Sequence, residues 1–282
     1  MAIVVNTNLS AMTVQRNLYK TTNALSQNME RLSTGVRINS AGDDAAGLSL
    51  SKKLQMVISA SDVAKNNSQS GVNLLQTAES DLGVIQDNLQ RMRDLAVQAA
   101  NGVYSSSERK ALNAEYMDRM SEIDRVAKSS KFSDLSLLDG SITAMALQIG
   151  TDSKAESRID ITSAFSTIAT STIGISSSTQ VNATSISTAT VARTALDVLD
   201  GAINQISKKR SDYGATINRL QASISRIEVR KENLTSSDSV IKDTDVAAET
   251  AELTKHQILQ QTATTLLKQA NQLGSIALSL LQ

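Results

Sequence analysis

Apolar residues in this chain return every three or four positions over stretches far longer than an ordinary globular helix. In the first segment, about Asn6 to Val36, Ala11, Leu18, Leu25 and Leu32 are spaced by seven, and Val14, Met29 and Val36 widen the stripe. This is the seam of an amphipathic helix made to pack against a partner. The rest of its surface is polar, and so short a stripe is marginal in water by itself. The run Gly35 to Gly47 breaks the period and reads as an irregular connector. From about Leu48 to Ala100 the steps of three and four resume through Leu54, Val57, Leu75, Leu82, Ile85, Leu89, Met92 and Ala99. At about 1.5 Å of rise per residue this rod would be roughly 75 Å long. Asn101-Gly102 ends it, and Ser105 three residues before Glu108 forms a capping box for the next helix. Leu112, Tyr116, Met120, Ile123 and Ala127 are that helix's apolar face, which stops near Ser130.

The period then changes. Met145, Leu147 and Ile149 alternate with polar or small residues, and Ile159 and Ile161 flank Asp160, which predicts a β-hairpin. Leu137-Leu138-Asp139-Gly140 before it reads as a turn. From Thr162 to Thr190 about half the residues are Ser or Thr, the composition of an exposed, loosely structured surface insert or a place for O-linked sugars. Helical spacing returns near Val191 through Leu199, Ile206, Tyr213, Leu220, Ile227 and Leu234. Thr235-Ser236-Ser237-Asp238 is expected to break it. A last helix, about Thr244 to Leu281, carries Val246, Leu253, Leu267 and Leu280 on its stripe, assisted by Ile258, Leu266, Leu273 and Ile276. The fold class is therefore mainly α: long antiparallel helical rods forming a bundle or coiled coil, with a small β-hairpin region in the middle of the chain.

Composition sharpens this picture. None of the 282 residues is proline, which costs about 3 kcal/mol inside a helix. Cysteine is also absent, removing disulfide staples and thiolate ligands. Aromatics are 2% of residues, so thin helical packing fits better than one thick globule. With 28 basic and 28 acidic residues the chain lacks the basic excess of a nucleic-acid binder. No run reaches the length of a membrane span, so no membrane insertion is expected. The start, Met1 to Asn6, does not read as a secretory signal peptide. His256 is the only histidine. No nucleophile–base pair or metal-ligand cluster is apparent, so no catalytic residue, metal or cofactor is expected. Asp43-Asp44 reads as turn chemistry rather than a metal half-site, and Lys208-Lys209-Arg210 as a solvated face.

Several long, collinear runs carry a family likeness. They include Asn6-Thr-Asn-Leu9, Gln15-Arg16-Asn17-Leu18, Glu30 to Gly35, Arg37 to Ala41, Asp43 to Leu48 and Leu89 to Gln98. Glu108-Arg109 and Glu122-Ile123-Asp124-Arg125 follow, and Leu253-Thr254-Lys255, Gln257 to Gln261 and Gln269-Ala270-Asn271 stand at the other end. Over about the first 150 and the last 90 residues the chain resembles bacterial flagellin. Only the short Ser/Thr-rich stretch stands where larger flagellins carry outer domains, and Leu273-Gly274 stands where the family commonly has proline.

The resemblance implies a secreted structural subunit that polymerises with itself into the extracellular bacterial flagellum, a motility organelle. Residues 1–45 with 240–282 would be a discontinuous terminal coiled-coil domain, disordered in the monomer and lining the inner tube of the filament. Residues 46–239 would be the rod domain, with the hairpin near 141–162 and a variable segment at 162–190. Filament assembly would run along Leu18, Leu25, Leu32, Leu253, Leu267 and Leu280. Export without a signal peptide would use the flagellar type III route. Its expected partners are a flagellin-specific export chaperone and the filament cap and hook-junction proteins. By the same resemblance, host Toll-like receptor 5 would contact Arg91, Leu95 and Glu115, where arginine with an adjacent apolar residue makes a good anchor. Two alternatives share parts of the layout: a hook–filament junction protein, and a coiled-coil scaffold that does not polymerise.

Overall fold

A computed structural model describes residues 7–162, 165, 167–176 and 179–279. The chain divides into two compact units, residues 1–58 with 232–282, and residues 59–231. Five long helices carry most of the described chain: α1 (Leu9–Thr34), α2 (Ala45–Ala100), α3 (Ser106–Ser129), α4 (Ala189–Lys242) and α5 (Val246–Ser279).

The unit of residues 59–231 has the dense core. Leu75, Leu82, Ile85, Leu89 and Met92 of α2 meet Tyr116 and Ile123 of α3 and Leu199, Ile206, Tyr213 and Leu220 of α4, all without solvent exposure. The three-four spacing delivers these residues to one side of each helix, as expected. In this unit α2 and α4 run antiparallel. Asp62 meets Lys231 at 2.6 Å, Lys65 meets Glu228 at 2.6 Å, Glu79 meets Arg210 at 2.5 Å and Arg93 meets Asp200 at 2.6 Å. Exposed pairs of this kind add little stability; their order along the helices specifies the register. The capping box forms as predicted. Ser105 Oγ accepts from the Glu108 N–H, and Glu108 Oε2 accepts from the Ser105 N–H at 2.7 Å.

Among the described residues three antiparallel two-stranded pieces lie between α3 and α4. They are β1 (Lys131–Phe132) with β2 (Leu135–Ser136), β3 (Ala146–Gln148) with β4 (Arg158–Asp160), and β5 (Gly174–Ser176) with β6 (Thr179–Gln180). The β3–β4 pair is the expected hairpin, with Leu147 opposite Ile159. Leu147 packs on α2 at Gly71, where an added Cβ would collide with Leu147 Cδ1.

The chain bends over residues 137–140 as expected, with Gly140 at φ +80°, and Leu137 and Leu138 of that bend are core residues. Two sequence expectations need correction in and beside this region. The Ser/Thr-rich stretch is not an exposed insert. Phe165, Ile168, Ile173, Val181 and Ile186 are buried in it. The Thr170 N–H donates to Asp124 Oδ1 at 2.8 Å, the Tyr116 hydroxyl lies 2.5 Å from Thr184 Oγ1, and the Ile186 N–H donates to Asn113 Oδ1 at 2.8 Å. A few isolated aliphatic residues suffice to hold a polar segment on a preformed core. Finally, α4 does not break at Thr235–Asp238 but continues to Lys242. None of these residues is Gly or Pro, and Ser237 Oγ donates to the Asn233 carbonyl at 2.8 Å, a bond that helix tolerates.

In the unit of residues 1–58 with 232–282, α1 and α5 pack together. Gly35 caps α1 in the left-handed region at φ 72°, the role for which glycine lacks a steric penalty. The connector after it is bonded to the joint between α4 and α5. The Arg37 N–H donates to the Lys242 carbonyl at 2.6 Å, and the Thr244 N–H to the Gly35 carbonyl at 3.0 Å. Asp43 is taken up by turn bonding, since Oδ2 accepts from the Ser40 N–H at 2.9 Å and Oδ1 from Gln27 Nε2 at 3.0 Å. These bonds hold its carboxyl below the usual aspartate range. Asp44 Oδ1 accepts from the Gly47 N–H at 2.9 Å, at the start of α2.

Candidate assembly faces and the Arg91 cluster

The α1–α5 seam is built on seven-residue repeats from both helices. Ala11, Val14, Leu18, Thr21, Leu25, Asn28 and Leu32 of α1 are half-buried or buried, and so are Glu249, Leu253, His256, Gln260, Ala263, Leu267 and Ala270 of α5. Asn8 Nδ2 donates to the Ala270 carbonyl at 2.8 Å at one end, and Arg31 lies 4.0 Å from Glu249 at the other, so the helices are antiparallel. Leu18, Leu25, Leu32, Leu253 and Leu267 thus stand on this seam, whereas Leu280 lies outside the described residues, as do the side chains of Leu273 and Ile276. Met29, Val246, Ile258 and Leu266 do not join it: Asn28 takes the seam position expected for Met29, which is 57% exposed. The reason is rotation. A strict seven-residue repeat places Asn28, Glu249 and His256 on the seam and turns Met29, next to Asn28, away from it.

Two properties mark the seam as incomplete. Among the described seam residues only Asn28 and Ala270 are buried, and no leucine of α1 is. Among the described residues, Glu249 Oε1 and His256 Nδ1 are shielded from solvent without a hydrogen-bond partner, a rare condition in a finished interface. Outside the seam, large apolar side chains stand exposed on both helices: Leu9, Met12, Tyr19 and Met29 on α1, and Ile258, Leu259 and Leu266 on α5.

Within the unit of residues 59–231, Arg91 of α2 reaches Glu115 of α3 in a two-point pair. Nε donates to Oε1 at 2.8 Å and Nη2 to Oε2 at 3.1 Å. Arg119 adds a contact to Glu115 at 3.8 Å and donates to Asn88 Oδ1 at 3.4 Å. The hydrogen bonds from Arg91, followed by its charge, hold the Glu115 carboxyl below the usual glutamate range, and Glu115 in turn raises the Arg91 guanidinium. The expectation that Leu95 lies with them at the surface does not hold. Leu95 is fully buried in the α2–α3–α4 core, one turn beyond Arg91 and facing inward. The cluster therefore presents Arg91, Glu115 and Arg119, with Asp94 exposed nearby. Sequence reading missed Asn88 and Arg119; the spacing Glu115-x-x-x-Arg119 was the signal for the latter.

Comparison with known proteins decides the family. The model of the bacterial flagellin N-terminal helical region matches residues 5–143, and that of the C-terminal helical region matches residues 196–281. The chain belongs to the bacterial flagellin family. This flagellin chain is 38% identical over 290 residues to the flagellar filament 33 kDa core protein of Treponema phagedenis, covering 99% of the chain and 100% of that relative. It is 38% identical over 281 residues to a flagellin of Halalkalibacterium halodurans, again over 99% and 100%. A solved structure from Vibrio parahaemolyticus, named a putative flagellar hook-associated protein, shares the fold at 16% identity, with a TM-score of 0.60 over 71% of this chain and 99% of that one. As a flagellin, the chain is a structural subunit of the extracellular flagellar filament of motile bacteria, and is not an enzyme. It polymerises with copies of itself.

Proposed function

We propose that polymerisation of this flagellin is coupled to completion of the α1–α5 pair. Residues 1–45 and 240–282 act as one terminal domain, loosely folded in the free subunit and ordered along the inner tube of the filament. Residues 46–239 act as the rod around it. The carrying observation is a seam that leaves every leucine of α1 partly exposed, together with the large apolar side chains that α1 and α5 expose outside it. Incoming copies cover those side chains, and each gains burial it lacks alone. Contacts of this head-to-tail type do not close on themselves and so build a helical fibre. Leu18, Leu25, Leu32, Leu253, Leu267 and Leu280 carry the assembly seam. Deletion of residues 1–40 or 245–282 leaves a soluble helical protein that does not sediment as filaments when seeded with short ones. Filaments from either deletion refute the coupling.

The same exposed apolar side chains suit an export chaperone before secretion, and the cap and hook-junction proteins at the two ends of the fibre. On the rod, Arg91 and Glu115 present a surface ion pair of the kind that Toll-like receptor 5 would read, with Leu95 holding the helix beneath it. An Arg91→Ala filament monomer is expected to lose signalling in a receptor reporter assay. Signalling equal to the parent removes that reading.

A further inference from the structure

The turn between α2 and α3 holds the one Asn-Gly pair of the chain, Asn101-Gly102. Asn101 is exposed, and its Oδ1 accepts the Val103 N–H at 3.2 Å. This bond holds the side-chain carbonyl over the following backbone and polarises it. Gly102 has open space on its Cβ side, with no heavy atom within 4 Å. Arg109 keeps the turn in one geometry, donating from Nε to the Ala99 carbonyl and from Nη2 to the Asn101 carbonyl, each at 2.9 Å. A nucleophile and a carbonyl held next to each other, with a donor aimed at the oxygen where charge develops, is a reactive arrangement.

We propose that Asn101-Gly102 is a built-in site of spontaneous deamidation. The Gly102 backbone nitrogen gives its proton to hydroxide or buffer and attacks Asn101 Cγ. The new C–N bond closes a five-membered imide, and the carboxamide C–N bond breaks, releasing ammonia. Water then opens the ring. Cleavage at Cγ–N leaves an ordinary aspartate, and cleavage at the main-chain carbonyl leaves an isoaspartyl linkage running through the side chain. No oxidant, metal or enzyme is needed. Each conversion adds one negative charge to a chain whose formal net charge is zero. The isoaspartyl product also moves the carbonyl that Arg109 grips.

The two asparagines followed by serine among the described residues are tied down. Asn39, before Ser40, donates its amide to Glu30. Asn67, before Ser68, lies inside α2 and donates to the Gln148 carbonyl at 3.2 Å. The reaction should therefore be selective.

The full chain is incubated at mildly alkaline pH, digested with trypsin, and peptide 94–109 is followed by mass spectrometry beside peptide 38–52. A gain of one mass unit in 94–109 well before any in 38–52 is expected, with an isoaspartyl share and faster conversion as pH rises. Gly102→Ala fits without strain, since φ there is not positive and the space is open. It should slow the change several-fold. The denaturant-unfolded chain should convert at a rate within a few-fold of the folded one. Equal conversion in Gly102→Ala, earlier conversion of 38–52, or a folded chain that stays intact while the unfolded one reacts would each overturn the proposal.

Discussion

At the scale of single residues, Arg91 and Leu95 sit one helical turn apart and do opposite things. Leu95 fills the core without solvent exposure. Leu95→Ala should lower stability by about 2–5 kcal/mol, the usual range for emptying a buried leucine site, as read by urea unfolding. Arg91→Ala should leave the melting midpoint nearly unchanged, because both its charge and its partner stand in water. Loss of receptor signalling in Leu95→Ala alongside a large stability loss would therefore reflect a damaged scaffold rather than a lost contact. The ion pair also sets a pH response. Glu115 has a folded pKa below its ordinary value of 4.5 because Arg91 donates to it. The stabilisation is present above the unfolded pKa and is lost as pH falls through the folded one. An NMR titration should find the Glu115 carboxyl protonating at higher pH in Arg91→Ala than in the parent.

At the scale of elements, some signals in the sequence were sufficient and others were not. The capping box at Ser105–Glu108 needs only two residues at fixed spacing, and it forms. Ser105→Ala should cost about 1 kcal/mol, typical of a lost cap, measured as a shift in the unfolding midpoint. The long repeats of α2 and α4 were legible because buried residues recur on one face for many turns. The α1–α5 seam was legible only in part, since Asn28, Glu249, His256 and Gln260 occupy seam positions that hydrophobicity does not flag. The Ser/Thr-rich stretch was misread because its anchors, Ile168, Ile173, Val181 and Ile186, are scattered singly and gain meaning only from the core they meet. The inward turn of Leu95 was in the pattern, at a seven-residue interval from Asn88 and a three-residue interval from Met92, but the family motif drew it outward. For the seam itself, Leu25→Glu should abolish seeded polymerisation while leaving the cooperative melting of the unit of residues 59–231 in place, monitored by circular dichroism.

At the scale of the whole molecule, the two compact units are unequal in how they are held. One buries large side chains completely; the other shares a thin seam and exposes much of its apolar surface. Amide exchange in the free subunit should be fast over residues 9–34 and 246–279 and slow over the α2 and α3 segments around Leu75 to Ile123, because local opening follows local burial. Uniform protection across the chain would contradict the coupling of folding to polymerisation. The placement of the tyrosines turns this inequality into an optical label. There is no tryptophan, and the four tyrosines are distributed by environment. Tyr116 and Tyr213 are sealed in the core, with the Phe165 ring 6.1 Å from that of Tyr213, and Tyr104 is half-buried before α3, whereas Tyr19 stands outward on α1. Near-ultraviolet absorbance and phenol emission from an untagged subunit can therefore follow a neighbour's arrival at Tyr19 against the three tyrosines of the other unit, with no dye attached.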